Sequence, residues 1–168
     1  MIRSREARRR AQQVLDAAGV TEPPVDLEAV AEFLGFTVLP YAFPDSTSGL
    51  TYIDGDVKTI GVNSGHAPVR QRFSAAHEIG HYLMGHEAYD HGQTYVEDRP
   101  NFLDPQYRQE MEANEFAADL LMPPKMLKQD VARLGLDVPA LAKRYAVSEQ
   151  AMWIQLIDLG LASQYSRR

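Results

Sequence analysis

One segment limits what this chain can fold into more than any other: His77, Glu78 and His81 lie in a stretch that otherwise carries apolar residues at helical spacing. Proline suits the first position of a helix and glycine suits its end, so the sequence predicts a helix from Pro68 to about Met84, with a glycine next. Unpaired polar groups are costly to bury on such a helix. The fold must therefore supply partners for these three polar side chains.

The three residues form the pattern His-Glu-x-x-His. Residues four apart are neighbours on one helix face, with Cβ atoms about 5–6 Å apart, so His77 and His81 can both bind one Zn²⁺ at about 2.0–2.1 Å. Glu78 is rotated by about 100° from His77, which places it beside the open position of the metal. There its carboxylate can accept a proton from a bound water whose pKa the metal lowers to about 7. The pattern thus predicts a hydrolytic zinc site, typical of metalloproteases, in which Mn²⁺ or Fe²⁺ can replace zinc.

Zinc also needs a third protein ligand, for which the sequence offers three candidates. Glu110 and Asn114 lie four residues apart on a second predicted helix, so a carboxylate there can bind zinc while the amide holds a ligand histidine. Glu112, about 200° round that helix from Glu110, is the rival; with Glu110 as the ligand, replacing Glu112 should leave the metal in place. His86 could turn towards the site if Gly85 ends the first helix. Without a metal, the pattern would be a helix face with two hydrogen-bonded histidines.

The rest of the chain predicts short helices around a small sheet. Aromatic and β-branched residues flank Asp54-Gly55, a strong turn signal, so residues 49–63 are predicted to form a hairpin and residues 36–43 a strand. Predicted helices cover residues 3–18, 27–34, 106–122 and 149–159, with further short helical pieces between 124 and 148. Residues 87–105 have no periodic pattern and are predicted to be a loop.

Composition narrows the compartment and the partners. The chain has no cysteine, which excludes disulfides and leaves histidine and carboxylate as metal ligands. Its net charge of −6 does not favour nucleic acid as the main partner, and the arginines within the first ten residues are interpreted as a solvated helix face. No stretch reaches the roughly 20 apolar residues that span a bilayer, and the basic start lacks the apolar segment of a signal peptide. A cytoplasmic protein without membrane contact is expected.

Two longer motifs surround the candidate residues. The first, Arg-Phe-Ser-Ala-Ala-His-Glu-Ile-Gly-His-Tyr-Leu-Met-Gly-His, runs from Arg72 to His86; the second, Glu-Met-Glu-Ala-Asn-Glu-Phe-Ala-Ala-Asp-Leu-Leu-Met-Pro, runs from Glu110 to Pro123. Together they resemble the ImmA/IrrE family of metallopeptidases. Shorter similar stretches lie at residues 24–31, 34–36, 48–50, 60–63 and 141–152, so the resemblance covers nearly the whole chain.

The resemblance implies a gluzincin-like site with Glu78 as the base and three zinc ligands, His77, His81 and Glu110. Members of the family cut helix-turn-helix repressors. The implied activity is therefore a zinc endopeptidase that cleaves a repressor encoded nearby and so derepresses stress or mobile-element genes.

The resemblance also implies a zincin-like α+β fold, in which a small antiparallel sheet packs on the His-Glu-x-x-His helix. A peptidase domain is expected at residues 1–125, with a C-terminal helical, helix-turn-helix-like extension at residues 126–168. The chain is expected to be of the short form, without the sensor domain of IrrE-like members.

Residues 141–159 support a different interpretation, a helix-turn-helix that binds DNA. The segment in the place of a recognition helix, Glu149 to Asp158, contains no lysine or arginine, although phosphate contacts supply most non-specific affinity for DNA. Direct DNA binding is therefore not expected, and Met152, Trp153 and Leu156 fit a packing surface. A catalytically inactive, zincin-like interaction or regulatory protein is the other alternative, which a metal assay separates from an enzyme. The sequence does not define the oligomeric state.

Overall fold

The structure, a computed structural model, describes residues 4–86 and 103–163. Its elements in chain order are α1 (Arg5–Ala17), α2 (Leu27–Phe33), β1 (Phe36–Tyr41), β2 (Gly49–Asp54), β3 (Val57–Asn63), α3 (Pro68–Leu83), α4 (Pro105–Leu121), α5 (Pro124–Leu134), α6 (Val138–Tyr145) and α7 (Glu149–Asp158). These bounds follow the predicted helices and strands closely, and the α+β class is confirmed. Most of the loop predicted at residues 87–105 lies outside the described residues.

The helices begin where short polar side chains accept a backbone N–H that has no partner within the helix. Five helices start in this way, behind Ser4, Asp26, Asp104, Asp137 and Ser148. α3 begins instead with Pro68, whose missing N–H removes the need for one such partner. In the part of the chain that the structure describes, every helix is too short or too polar to cross a membrane.

The three strands form a mixed sheet in the order β1-β3-β2. β2 and β3 pair antiparallel around the Asp54-Gly55 turn, as the hairpin prediction requires. β1 pairs in parallel with the other side of β3, so the sheet is mixed, whereas the family resemblance implied an antiparallel one. β1 tolerates Pro40 because it is an edge strand, in which a missing backbone donor can face away from the sheet.

Asn63 explains how β1 comes to lie parallel to β3. Its buried side-chain nitrogen lies 2.8–3.3 Å from the carbonyl oxygens of Phe43, Pro44 and Thr47, all in the connection between β1 and β2. Its Oδ1 accepts the backbone N–H of Gly65 at 2.9 Å. These contacts hold the connection across the end of β3, so the chain can return to form β2 on the opposite edge.

The sheet and the helices share one apolar core. α3 packs on the sheet and on α4, and α1 packs on α4 as well. The core includes large, fully buried side chains from both sides of the chain's midpoint, among them Leu15, Ile60, Ile79, Phe116, Leu120, Leu141, Met152 and Leu156. α3, which carries the His-Glu-x-x-His pattern, therefore lies between the sheet and α4.

The C-terminal helices are joined to the rest of the fold by buried polar contacts as well as apolar ones. Gln155 of α7, which is fully buried, donates to Asp119 Oδ1 at 2.9 Å and to the Met122 carbonyl at 3.0 Å. Arg72 of α3 donates to the carbonyl oxygens of Val25 and Ala146 at 3.0 and 3.2 Å. These bonds link segments on both sides of residue 125, where the division into a peptidase domain and an extension stays a prediction.

A buried carboxylate fastens α5 to α6. Asp130 accepts hydrogen bonds from Arg144 Nε at 2.8 Å and from the Tyr145 hydroxyl at 2.7 Å. Burial by itself would raise the pKa of Asp130, but the bonds from Arg144 and Tyr145 outweigh it and hold this pKa below its ordinary value of 3.8. Burial, together with Asp130, raises the pKa of Tyr145. The hydroxyl therefore stays protonated and remains a donor to the carboxylate.

Replacing Tyr145 by phenylalanine should lower the free energy of unfolding by about 1.5–3 kcal/mol, because it removes a buried hydrogen bond to a charged group. Urea unfolding measures this loss. Because the pKa of Asp130 is depressed in the folded protein, the stabilisation is present above about pH 4 and disappears as lower pH protonates the carboxylate. Tyr52→Phe, at an exposed position of β2, is the control and should change stability by less than about 0.5 kcal/mol. Equal effects of the two substitutions would contradict the role of the Tyr145 hydroxyl.

Candidate metal centre

α3 and α4 approach closely because a glycine lies at their contact. A Cβ atom at Gly80 would lie 2.9 Å from Phe116 Cδ1 and 3.2 Å from the carbonyl oxygen of Ala113, so any larger residue would push the helices apart. Gly80 is one of the two unspecified positions in the His-Glu-x-x-His pattern. Its missing side chain brings α4 next to the histidines of α3.

Three side chains from these two helices converge on one point. Glu110 places its Oε2 3.0 Å from His77 Nε2 and its Oε1 3.1 Å from His81 Nε2, and the two Nε2 atoms are 3.0 Å apart. Ligand atoms around a tetrahedral zinc ion at about 2.0–2.1 Å are separated by about 3.3–3.4 Å, so the triangle is close to the size that zinc requires. Two imidazoles and a carboxylate also match the donor set of catalytic zinc sites. Within residues 4–86 and 103–163 no other three His, Asp or Glu side chains are grouped closely enough to bind one ion.

Asn114 orients the first of these histidines. Its Oδ1 lies 2.8 Å from His77 Nδ1, and an amide oxygen can only accept a hydrogen bond, so Nδ1 carries the proton. The Nε2 atom of the neutral ring then has a lone pair that faces Glu110. This is the tautomer that metal binding through Nε2 requires, and an outer partner of this kind is usual for a metal-bound histidine.

Glu78 lies outside the triangle, between α3 and the sheet. It is buried, with 3% of its surface exposed, and the Thr51 hydroxyl of β2 donates to its Oε2 at 2.5 Å. The backbone of β2 is also close, since a Cβ atom at Gly49 would lie 3.5 Å from Glu78 Cγ. The carboxylate is therefore held by the sheet while the neighbouring histidines face α4.

The two rival ligands lie behind His81. His86 Nδ1 is 2.9 Å from His81 Nδ1, the ring nitrogen opposite the one that faces Glu110. Glu112 Oε2 is in turn 2.9 Å from His86 Nε2. The structure therefore groups Glu110 with the two histidines of the pattern and places His86 and Glu112 on the far side of one of those rings.

Thr51 is the contact that sequence reasoning missed. It precedes Glu78 by 27 residues, and only the packing of the hairpin on α3 brings the two together. The sequence contains no local signal for this pair. His86 did have a signal, because the glycine at position 85 returns the chain towards the end of α3.

A family model described as "Peptidase_M78: IrrE N-terminal-like domain" matches residues 31–156. The matched range includes every side chain of the candidate metal centre and confirms the resemblance to the ImmA/IrrE family. A search of curated proteins gave no significant match.

Among solved structures, a "Mycobacterium tuberculosis transcriptional regulator" is similar in fold, with a TM-score of 0.65 and 16% sequence identity. The match covers 92% of this chain and 48% of that protein, so this chain spans about half of the other's length. At this identity the likeness concerns the fold alone.

The purified protein, bearing no affinity tag, should bind about one zinc ion per chain, as measured by elemental analysis after dialysis. His81→Ala removes a ligand from the triangle and should abolish the metal, and Glu110→Gln should weaken its binding greatly because the anionic donor is lost. Glu32→Gln, an exposed carboxylate on α2, is the control and should keep the metal. Zinc that persists in His81→Ala would place the metal elsewhere.

Proposed function

We propose that this chain, which belongs to the Peptidase_M78 family of IrrE N-terminal-like domains, is a zinc-dependent endopeptidase. The observation that carries the proposal is the triangle of His77, His81 and Glu110 beside a separate, buried carboxylate. If this helix face carried only two hydrogen-bonded histidines and no metal, a single acidic side chain would be enough to partner them. A second carboxylate, held apart from the triangle by the sheet, is what hydrolysis with a metal and a general base requires.

The proposed division of roles follows the contacts. His77, His81 and Glu110 would hold the zinc ion, with Asn114 fixing the ring of His77. When bound, zinc lowers the pKa of a water to about 7 and polarises the carbonyl of the scissile bond. Glu78 is adjacent in sequence to a ligand but directed towards β2, so it can act on the water without occupying a ligand position.

Glu78 is proposed to move the proton during hydrolysis. Its carboxylate accepts a proton from the water that attacks the peptide carbonyl, and the same carboxyl group then gives a proton to the amide nitrogen as the C–N bond breaks. The products are a carboxylic acid and an amine. The hydroxyl of Thr51 fixes the orientation of the Glu78 carboxylate through its bond to Oε2.

The substrate is proposed to lie along β2. This strand is at one edge of the sheet, and in the described parts of the chain no strand pairs with its outer side. Gly49 and Thr51 of this strand lie next to Glu78. An extended peptide can add to such an edge by main-chain hydrogen bonds, which would bring its scissile bond close to Glu78.

Glu78→Gln should retain zinc and lose peptide cleavage, because the amide keeps the size and the hydrogen bond to Thr51 but cannot accept the water's proton. The expected fall in the cleavage rate is at least about 10²–10⁴-fold, measured with a peptide substrate and the metal-loaded protein. Glu32→Gln is the matched control and should cleave at the wild-type rate. An active Glu78→Gln protein would rule out Glu78 as the base, and a zinc-loaded wild type that cleaves nothing would favour an inactive regulatory protein.

A helix-turn-helix repressor is the proposed substrate. The family membership supports this proposal, since the resemblance to the ImmA/IrrE family implies cleavage of such repressors. The net charge of −6 supports it as well, because an acidic enzyme attracts a basic DNA-binding domain and raises the rate of encounter at low salt.

Cleavage of a neighbouring repressor should occur at one site. Wild-type protein and zinc are mixed with the helix-turn-helix protein encoded beside this chain, and the intact masses of all species are measured. One pair of fragments that is absent with Glu78→Gln is the expected result, and raising the salt concentration should slow its appearance. Ready digestion of casein, with every neighbouring DNA-binding protein left intact, would instead indicate a general peptidase.

A further inference from the structure

We propose that His86 and Glu112 are positioning residues that set the orientation and the tautomer of the ligand His81. His86 would accept a hydrogen bond from Nδ1 of His81, and Glu112 would hold His86 in place by accepting a hydrogen bond from its Nε2. This inference rests on the proposed zinc site, and it assigns a role to two residues that stand outside the group of ligands.

The end of α3 delivers His86 to this position. Gly85 has a positive φ of +70°, which glycine adopts without the steric cost that other residues meet. The backbone N–H of His86 donates to the carbonyl of His81 at 3.0 Å, and that of Gly85 donates to the carbonyl of Tyr82 at 3.2 Å. These two bonds form a Schellman cap, in which the residue after the glycine folds back over the last turn of the helix. The cap therefore places the side chain of His86 against that of His81.

The hydrogen positions follow from a simple accounting of donors and acceptors. A neutral imidazole has one N–H and one lone pair. If His81 binds zinc through Nε2, its proton must be on Nδ1, and that N–H donates to His86 Nδ1 at 2.9 Å. The proton of His86 is then on Nε2, which donates to Glu112 Oε2 at 2.9 Å. Every group in this chain of bonds has a partner when His81 presents its lone pair to the metal.

The two ligand histidines thus receive their outer partners from the same helix by different routes. His77 contacts Asn114 of α4 directly, whereas His81 reaches Glu112 of α4 only through His86. The side chain of His86 is 6% exposed, so water has little access to the bond that it accepts. Loss of that bond would remove the acceptor at His81 Nδ1 in a largely dry place, which is costly.

A direct ligand role for His86 does not fit these contacts. His86 approaches the Nδ1 side of the His81 ring, whereas Glu110 and His77 lie on the Nε2 side. To reach the ion, His86 would have to leave both His81 and Glu112.

Two substitutions at position 86 separate positioning from simple filling of space. His86→Phe keeps an aromatic ring in the pocket but can neither accept from His81 nor donate to Glu112. It should weaken zinc binding by about 10–100-fold, as expected for loss of an outer partner, in a competition titration with a chromophoric chelator. His86→Gln offers a carbonyl oxygen to His81 and an N–H to Glu112, so its zinc affinity should be close to that of the wild type.

The visible absorption of Co²⁺-substituted protein provides a second readout, because it reports the geometry around the ion. His86→Phe should change the spectrum and His86→Gln should preserve it. Glu112→Gln keeps an acceptor oxygen but loses the charge, so its zinc affinity should lie between those of the wild type and His86→Phe. This differs from the prediction from the sequence, in which replacing Glu112 has no effect on the metal. Arg108→Gln, an exposed charge on the same helix, is the control and should leave affinity and spectrum unchanged.

The outcomes distinguish this inference from the proposed function. Equal zinc affinities and equal spectra for wild type, His86→Phe and Glu112→Gln would overturn the positioning role while the zinc site stands. The same holds if His86→Gln binds zinc as weakly as His86→Phe, since packing and not hydrogen bonding would then decide. A wild-type protein that binds no zinc would overturn both.

Discussion

The contact of α3 with α4 at Gly80 is the constraint on which the site depends. A glycine within a helix costs about 0.5–1 kcal/mol relative to alanine, but here it allows Phe116 and the backbone of α4 to come within van der Waals distance. Glu110, Glu112 and Asn114 all project from the middle of α4. The close approach therefore supplies one candidate ligand and two outer partners from a single helix, and a wider separation would remove all three at once.

The site combines charges that an apolar core would not accept alone. Glu78 of α3 places its carboxylate against the sheet, and Glu110 of α4 places its carboxylate against the two histidines of α3. Burial of an uncompensated carboxylate is costly, and a divalent cation held by His77, His81 and Glu110 would offset this cost. The mixed sheet matters here because β2, at its edge, holds Glu78 through Thr51 while β3 is kept in the centre by pairing on both sides. The peptidase proposal thus depends on the sheet for the base and on the helices for the metal.

The sequence could predict the features of the fold and of the candidate site that depend on residues close together along the chain. The spacing of His77 and His81 on one helix face, the hairpin at Asp54-Gly55 and the helix start at Pro68 all depend on neighbours along the chain. The parallel pairing of β1 with β3 and the bond between Thr51 and Glu78 join segments that are distant along the chain. No periodic pattern in the sequence predicts such contacts. Glu110 could be predicted only in part. Its spacing to Asn114 is a local feature of the sequence, but its approach to α3 depends on packing. His86 lies between these cases: the sequence allowed a turn at Gly85 that could bring His86 in as a ligand, but packing places it at Nδ1 of His81 instead.

The glycine cap also determines how many residues can separate the second histidine of the pattern from its partner. Each residue added to a helix rotates the next side chain by about 100°, so one insertion between His81 and Gly85 would carry His86 round to another face. A relative with a longer helix would have to draw a partner for this histidine from elsewhere in its chain, or from water. The spacing in His-x-x-x-Gly-His therefore predicts which family members can place a histidine against Nδ1 of the second histidine. Members with a different spacing need another partner for that ring nitrogen.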